Sequence, residues 1–260
     1  MKHLLLNSKE EADAFIKWFL RVSIHEIPDE FESEEDRNNF LQKRLKHLEV
    51  QVSDLNKLSF NSAIACDQKD QSWFKIIKKV HENTPLSTEG SIEKSSRFNY
   101  KNIEDLRSRV SYFGETKDVC FGELFHLDIQ KQNYNELAGI KDEFKDAQFP
   151  FPDFFIIEYV INVDNILVLT SEPSYKALGI PDRVVKNEWF SINNEFEIPT
   201  ASQILGAIAK VQGYSGILYA SVRSQTKRNL VLFEENTGTL NKHSGIKELN
   251  RQILDPSSYF

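Results

Sequence analysis

The chain has 260 residues, 40% of them hydrophobic, with 19 Phe against 10 Gly and 8 Pro and a formal net charge of -7. Such a composition describes a folded globule, either one large domain or a core domain with an appendage, and excludes a disordered or fibrous chain. The acidic balance and the lack of a long basic stripe argue against nucleic acid as a direct partner. No apolar run has the length of a secretion signal or a membrane span, so a soluble cytoplasmic protein with no membrane partner is expected.

Cys66 and Cys120 belong to no CxxC pair, which suggests neither a zinc site nor a disulfide framework, although a single bridge between them is compatible with the sequence. The six His residues show no HxxxH or HExxH spacing, so no metal site is expected.

In chain order, "SKEEADAFIKWFLRVS" reads as a helix capped by Ser8, with Ala12, Phe15, Trp18 and Phe19 on one face. After the loop "HEIPDEFE" comes a second helix, "SEEDRNNFLQKRLKHLEVQVSDLN", with Ser33 as its cap and Phe40, Leu41, Leu45 and Leu48 as its buried stripe. From about Asp70 the pattern changes. "SWFKIIKKV" reads as a strand, and a polar loop leads from it to a short strand at "RFNY". These changes divide the chain into a helical segment over 1–69 and a second domain over 70–260.

Within the second domain, "VSYFG" reads as a strand that leads through a polar turn into a short helix bearing Glu123. In "PDFFIIEYVINVDNILVLT" two strand-like segments flank the turn-rich "NVDN", which predicts a hairpin. "TASQILGAIAKVQGY" is a helix with a capping box at Thr200 and Gln203, an apolar side of Ile204, Ile208 and Val211, and a stop at Gly213. A last hairpin joins "GILYASV" to "NLVLF". Helices followed by irregularly mixed strands and helices, with no GxGxxG or P-loop, predict an α+β fold rather than a doubly wound one.

The last hairpin poses a chemical question. Strand alternation puts Leu218, Ala220 and Val222 on one face and Ile217, Tyr219, Ser221 and Arg223 on the other, and the second face mixes bulk with hydrogen-bonding groups. It is either a solvent-facing edge or the wall of a cleft. Two further segments bear on the choice. Arg97 lies between a polar loop and aromatic residues, where a guanidinium can grip a phosphate or carboxylate through two parallel hydrogen bonds. Glu123, flanked by Phe121, Gly122, Leu124 and Phe125, sits either on an exposed stripe or in an apolar wall, where an ionised carboxylate needs a partner.

Taken together, "RFNY", "SYFGETKDVCFGELFH" and "IPTASQILGAIAKVQGYSGILYASVRSQTKRNLVLF" resemble the RES-domain family, named for an Arg, a Glu and a Ser. Arg97 with Phe98 and Asn99, then Tyr112, Glu123 and Ser221, occupy the places of the family's motif residues over about three fifths of the chain. Lys75 stands where many relatives carry an Arg, and the helical N-terminus is an addition.

The resemblance implies an ADP-ribosyltransferase-like fold, a split and mostly antiparallel β-sheet core with flanking helices and a cleft for NAD. It implies a bacterial toxin that degrades NAD by phosphorolysis or hydrolysis at the nicotinamide–ribose bond, and some relatives instead transfer ADP-ribose to a protein. It further implies an antitoxin partner with a helix-turn-helix domain, and leaves room for a homo-oligomer. NAD would be the substrate, inorganic phosphate a co-substrate, and no other cofactor is implied. Arg97, Tyr112, Glu123 and Ser221 are the implied catalytic group, with Phe98, Arg223 and Asn229 at the bound nucleotide. Arg223, Lys227 or Arg228 would hold a phosphate. A different class of reading, a non-catalytic nucleotide-binding or interaction module, keeps the fold and denies the reaction.

Overall fold

The computed structural model describes residues 65–123, 154–171, 199–222, 224 and 226–254, and besides these 32–36, 39, 173, 174, 189 and 193. The first expected N-terminal helix lies outside the described residues. Of the second, only the start is described: residues 34–36 are helical, and the Ser33 Oγ accepts the Asp36 N–H at 3.1 Å, as an N-cap should.

Six strands carry the fold: β1 (Ala65–Lys78), β2 (Val110–Gly114), β3 (Phe154–Leu169), β4 (Gly216–Ala220), β5 (Arg228–Phe233) and β6 (Ile246–Ile253). Between them lie α1 (Glu89–Glu93), α2 over 117–123, α3 (Ala201–Val211) and α4 (Glu234–Thr237). Among the described residues no helix is long and apolar enough to cross a membrane. The architecture is a mixed α+β fold on one sheet, in the order β1-β2-β5-β4-β3-β6. Because β1 also pairs with β3, the first five strands close a circuit. The pairings are antiparallel except β3 with β4.

The expected hairpin at "NVDN" is instead one continuous strand. β3 runs 16 residues and gives one edge first to β6 and then to β4, while β1 follows its other edge. The turn-forming residues are absorbed as irregularities. Asn165 adopts φ 58° and Asp70, in β1, φ 52°, with register shifts in the β1–β3 ladder near Gln68. The freed polar groups find partners: Asn162 Oδ1 accepts the Asp70 N–H at 2.7 Å and the Asn165 amide donates to the Gly213 carbonyl at 3.0 Å. Tertiary pairing on both edges thus overrides the local turn signal. Similarly, "RFNY" is not a strand but a tight turn closed by a bridge between Ser96 and Asn99. β1 begins at Ala65, so the strand crosses the position where the composition changes.

Inside the circuit lies the main core, which includes Trp73, Phe113, Ile157, Tyr159, Ile161, Leu218, Leu230 and Leu232. The outer face of β1, through Phe74 and Ile76, packs with Ile156 and Leu254 under Phe121 of α2. The circuit is weakest between β1 and β2, which share one bridge, Phe74 to Gly114. Two side chains reinforce it. The Cys120 thiol donates to the Phe74 carbonyl at 2.8 Å and accepts the Gly114 N–H at 3.2 Å, and Lys75 Nζ donates to Ser111 Oγ. Cys66 and Cys120 are both free thiols.

Lys75 alternates with Trp73 and Ile77, so it enters the core instead of facing an anion, with Nζ 5.4 Å from the centre of the Phe113 ring. Burial is the main cause that lowers its pKa to about 8. The folded chain therefore sheds this proton before the unfolded one, whose lysines titrate near ~10.4, and stability from this group is flat below about pH 8 and rises between the two values. Lys75→Met, which removes the buried charge, is expected to be more stable than wild type at pH 7. The advantage should shrink by on the order of 2–3 kcal/mol as the pH rises towards 10.5. Denaturant titrations of both proteins across that range check it; an advantage independent of pH would contradict the assignment.

Candidate active site

The side of the sheet that faces away from the core is built by alternation. Tyr112 on β2, Asn229 on β5 and Tyr219 on β4 point away from the core face that holds Phe113, Leu230 and Leu218. The ladder sets their spacing: Asn229 is the partner of both Gly114 and Tyr219. Ser221 follows β4 and is held in line by its N–H to the Lys227 carbonyl at 2.9 Å.

Glu123 comes from α2. Thr116 starts this helix, its Oγ1 accepting the Val119 N–H at 3.3 Å. Residues three apart share a helix side, so Cys120 docks on the β1–β2 junction while Glu123, one turn further, reaches the far strands. Glu123 Oε1 accepts two hydrogen bonds, from Ser221 Oγ at 3.0 Å and from Asn229 Nδ2 at 2.8 Å. Both donors are neutral and nearly buried, Ser221 at 5% and Asn229 at 3% exposure, so the carboxylate is fixed in direction by groups that bring no counter-charge. Oε2 receives no hydrogen bond from any described residue.

The start of α2 is clamped to β5. Arg228 Nη2 meets Glu115 Oε1 at 2.7 Å, and the Arg228 N–H donates to Oε2 at 2.9 Å. Burial would raise the Glu115 carboxyl, but the hydrogen-bonded Arg228 guanidinium outweighs it and holds Glu115 below the usual carboxylate range. Of the three candidates for a phosphate, Arg228 is paired with Glu115, Lys227 is exposed on the turn, and Arg223 lies outside the described residues.

Arg97 occupies the 96–99 turn and is 7% exposed. Two elements grip that turn. On one side the Tyr112 hydroxyl pairs with Ser96 Oγ at 2.9 Å and accepts the Phe98 N–H at 3.0 Å. On the other, Gln203 of α3 donates through Nε2 to the carbonyls of Ser96 at 2.8 Å and Asn99 at 3.3 Å. Gln203 also completes its capping role, accepting the Thr200 N–H at 2.8 Å. Asn99 is wholly buried and ties the turn to its flanks, donating to the Lys94 carbonyl at 3.0 Å and accepting the Ser108 N–H at 2.6 Å.

Burial, offset in part by these contacts and by Arg97, pushes the Tyr112 hydroxyl up to about 12, so it stays protonated and acts as a fixed strut. Phe98, expected at the nucleotide, is fully buried with its ring edge-on to Tyr219 at a centroid distance of 4.9 Å, so its side chain backs the wall. Burial likewise pushes the Tyr219 phenol well above its ordinary value, with Glu123 adding to the rise and Arg97 opposing it. The charges of Arg97 and Glu123 act on both tyrosines, which puts Arg97, Tyr112, Tyr219 and Glu123 in one neighbourhood.

Sequence reasoning did not foresee Asn229 as a donor to Glu123, nor Gln203 as a clamp on the Arg97 turn. The first was detectable, since an Asn within the apolar "NLVLF" run, on the face opposite Leu230, marks a buried polar partner. The second has no local signal, because it depends on where α3 lands.

A mostly antiparallel α+β sheet that brings an Arg, a Glu and a Ser from three distant segments to one place defines a class of protein. The family model of the RES domain matches residues 72–249, and the chain belongs to that family. Among solved structures it is similar to a chain of the M. tuberculosis MbcT-MbcA toxin-antitoxin complex, with a TM-score of 0.54 and 13% identity, covering 80% of this chain and 93% of that one. At this identity the likeness concerns the fold alone. No curated protein matches the chain in sequence.

Gly206 lets α3 seat on the Arg97 turn: a Cβ there would overlap the Phe98 carbonyl oxygen and come within 2.8 Å of its Cβ. Helix propensity alone would favour Gly206→Ala by about 1 kcal/mol. The overlap is with backbone, so a net loss of about 1–3 kcal/mol is expected instead. Chemical denaturation measures it, and a stabilised variant would contradict the docking.

Proposed function

We propose that the chain is a bacterial toxin that cleaves NAD at the nicotinamide–ribose bond, on a scaffold of the ADP-ribosyltransferase type split beside its cleft. The observation that carries this reading is the state of Glu123: Oε1 is tied by two neutral donors and Oε2 is committed to no described residue, while Arg97 is buried in the turn gripped by Tyr112.

The reaction needs this kind of site. NAD loses nicotinamide as a neutral pyridine from a cationic one, so the leaving group needs no acid. Positive charge gathers on the ribose as an oxocarbenium-like transition state, and a fixed negative charge beside it stabilises that state more than the ground state. Glu123 supplies the charge. Its Oε2 also accepts a ribose hydroxyl, while Ser221 and Asn229 keep the carboxylate from swinging away. Arg97 holds the pyrophosphate through its guanidinium. Tyr112 positions Arg97 through the turn and touches no reacting atom. Ser221 is a positioning donor to Glu123.

The acceptor is water or inorganic phosphate. Engagement of Arg228 by Glu115 removes one cation from the set that could hold a phosphate, which favours water. NAD is the substrate, with no further cofactor. The similar solved structure is titled a toxin-antitoxin complex, and on that ground we extend to this chain a cognate antitoxin partner; a cytoplasmic place of action, where NAD is at hand, belongs to the same proposal.

Purified protein is expected to release nicotinamide from NAD. Glu123→Ala and Glu123→Gln should each lower the rate by about 10²–10³-fold, since the lost charge rather than the lost shape is what matters. Arg97→Ala should mainly raise KM. Mass spectrometry separates ADP-ribose, ADP-ribose 1″-phosphate and modified protein. Intact NAD after prolonged incubation with wild type, or full activity in Glu123→Gln, would overturn the proposal.

A further inference from the structure

Tyr219 stands next to Asn229 on the face of the sheet turned away from the core, and has no part in the mechanism above. It is 4% exposed, sits directly opposite Asn229 in the β4–β5 ladder, and lies two residues before Ser221 on the same face. Its ring is fixed edge-on to Phe98, with an interplanar angle of 73°. Its hydroxyl makes no hydrogen bond to any described residue, whereas a buried tyrosine hydroxyl ordinarily finds a partner. Trp73 Nε1, Ser108 Oγ and Tyr159 Oη are sealed inside without partners; the Tyr219 hydroxyl is not one of these and lies instead in the field of Arg97 and Glu123.

Two uncommitted groups thus face the same charged neighbourhood: Glu123 Oε2, which only accepts, and the Tyr219 hydroxyl, which donates as well. They do not bond to each other. A ligand that satisfies both must offer one O–H and, beside it, one oxygen lone pair, and a vicinal diol does so. Resting on the NAD-cleaving reading, we infer that Tyr219 is a substrate-contacting residue that donates to one oxygen of the scissile ribose diol while Glu123 Oε2 takes the other hydroxyl. The substrate class is then a nucleotide with an intact cis-diol on the ribose that loses its base.

Tyr219→Phe removes one oxygen and keeps the ring against Phe98, so the melting temperature should not change. On NAD, kcat/KM is expected to fall about tenfold, the loss typical of one neutral hydrogen bond near the upper end of its range. Of two NAD analogues, one lacking the 2′- and one lacking the 3′-hydroxyl of the nicotinamide ribose, one should narrow the difference between wild type and Tyr219→Phe to less than about twofold, because on it the contact is already missing. Equal kcat/KM on NAD, or an undiminished deficit on both analogues, overturns the role of Tyr219 while NAD cleavage stands. Failure of wild type to cleave NAD overturns the functional reading and this inference with it.

Discussion

The site depends on one carboxylate oxygen held from two strands. A carboxylate in an apolar wall is costly unless its lone pairs are met, and a cationic partner would meet them at the expense of the negative charge. Ser221 and Asn229 resolve this with neutral dipoles on Oε1 of Glu123. The carboxylate's direction is set before any ligand arrives, which is the preorganisation that electrostatic catalysis requires. Removing either strand donor would leave the other side chain to hold the carboxylate alone.

Much of the remaining structure holds in place the helix that carries Glu123 and the turn that carries Arg97. α2 is fixed at its start by the Glu115–Arg228 pair and along its length by the Cys120 thiol, which fills the gap between β1 and β2 where the ladder has one bridge. The Arg97 turn is held between the Tyr112 hydroxyl and the Gln203 amide, with Gly206 allowing α3 to approach. Apart from the Glu115–Arg228 ion pair, these supports use neutral groups at close range. The Tyr112 hydroxyl and the Cys120 thiol are each pushed up to about 12, mainly by burial, so neither changes charge near neutral pH.

What the sequence reveals and what it hides divide along physical lines. Local patterns are legible: the capped helix from Thr200, the stop at Gly213 with φ 80°, and the β2 and β5 strands follow from alternation and end signals. The two-faced character of "GILYASV" is legible too, and Ser221 and Tyr219 stand on the polar face as alternation requires. Patterns that depend on distant partners are not. "NVDN" carries turn chemistry, yet β1, β6 and β4 hold it extended, and "RFNY" looks like a strand until Tyr112 and Gln203 bend it into a turn. Lys75 sits where a polar face was natural, but the closed circuit turns it inward to Ser111. Arg228 reads as a solvated turn residue until Glu115 arrives from another segment.

The most direct test of the account is a crystal structure with a carbocyclic NAD analogue that cannot ionise to an oxocarbenium and so survives in the site. The account predicts the carbocycle's hydroxyls within hydrogen-bond reach of Glu123 Oε2, with Oε1 still on Ser221 and Asn229 and the pyrophosphate on Arg97. An analogue bound elsewhere, or one whose sugar-like ring lies away from Glu123 while Oε2 meets only water, would contradict it.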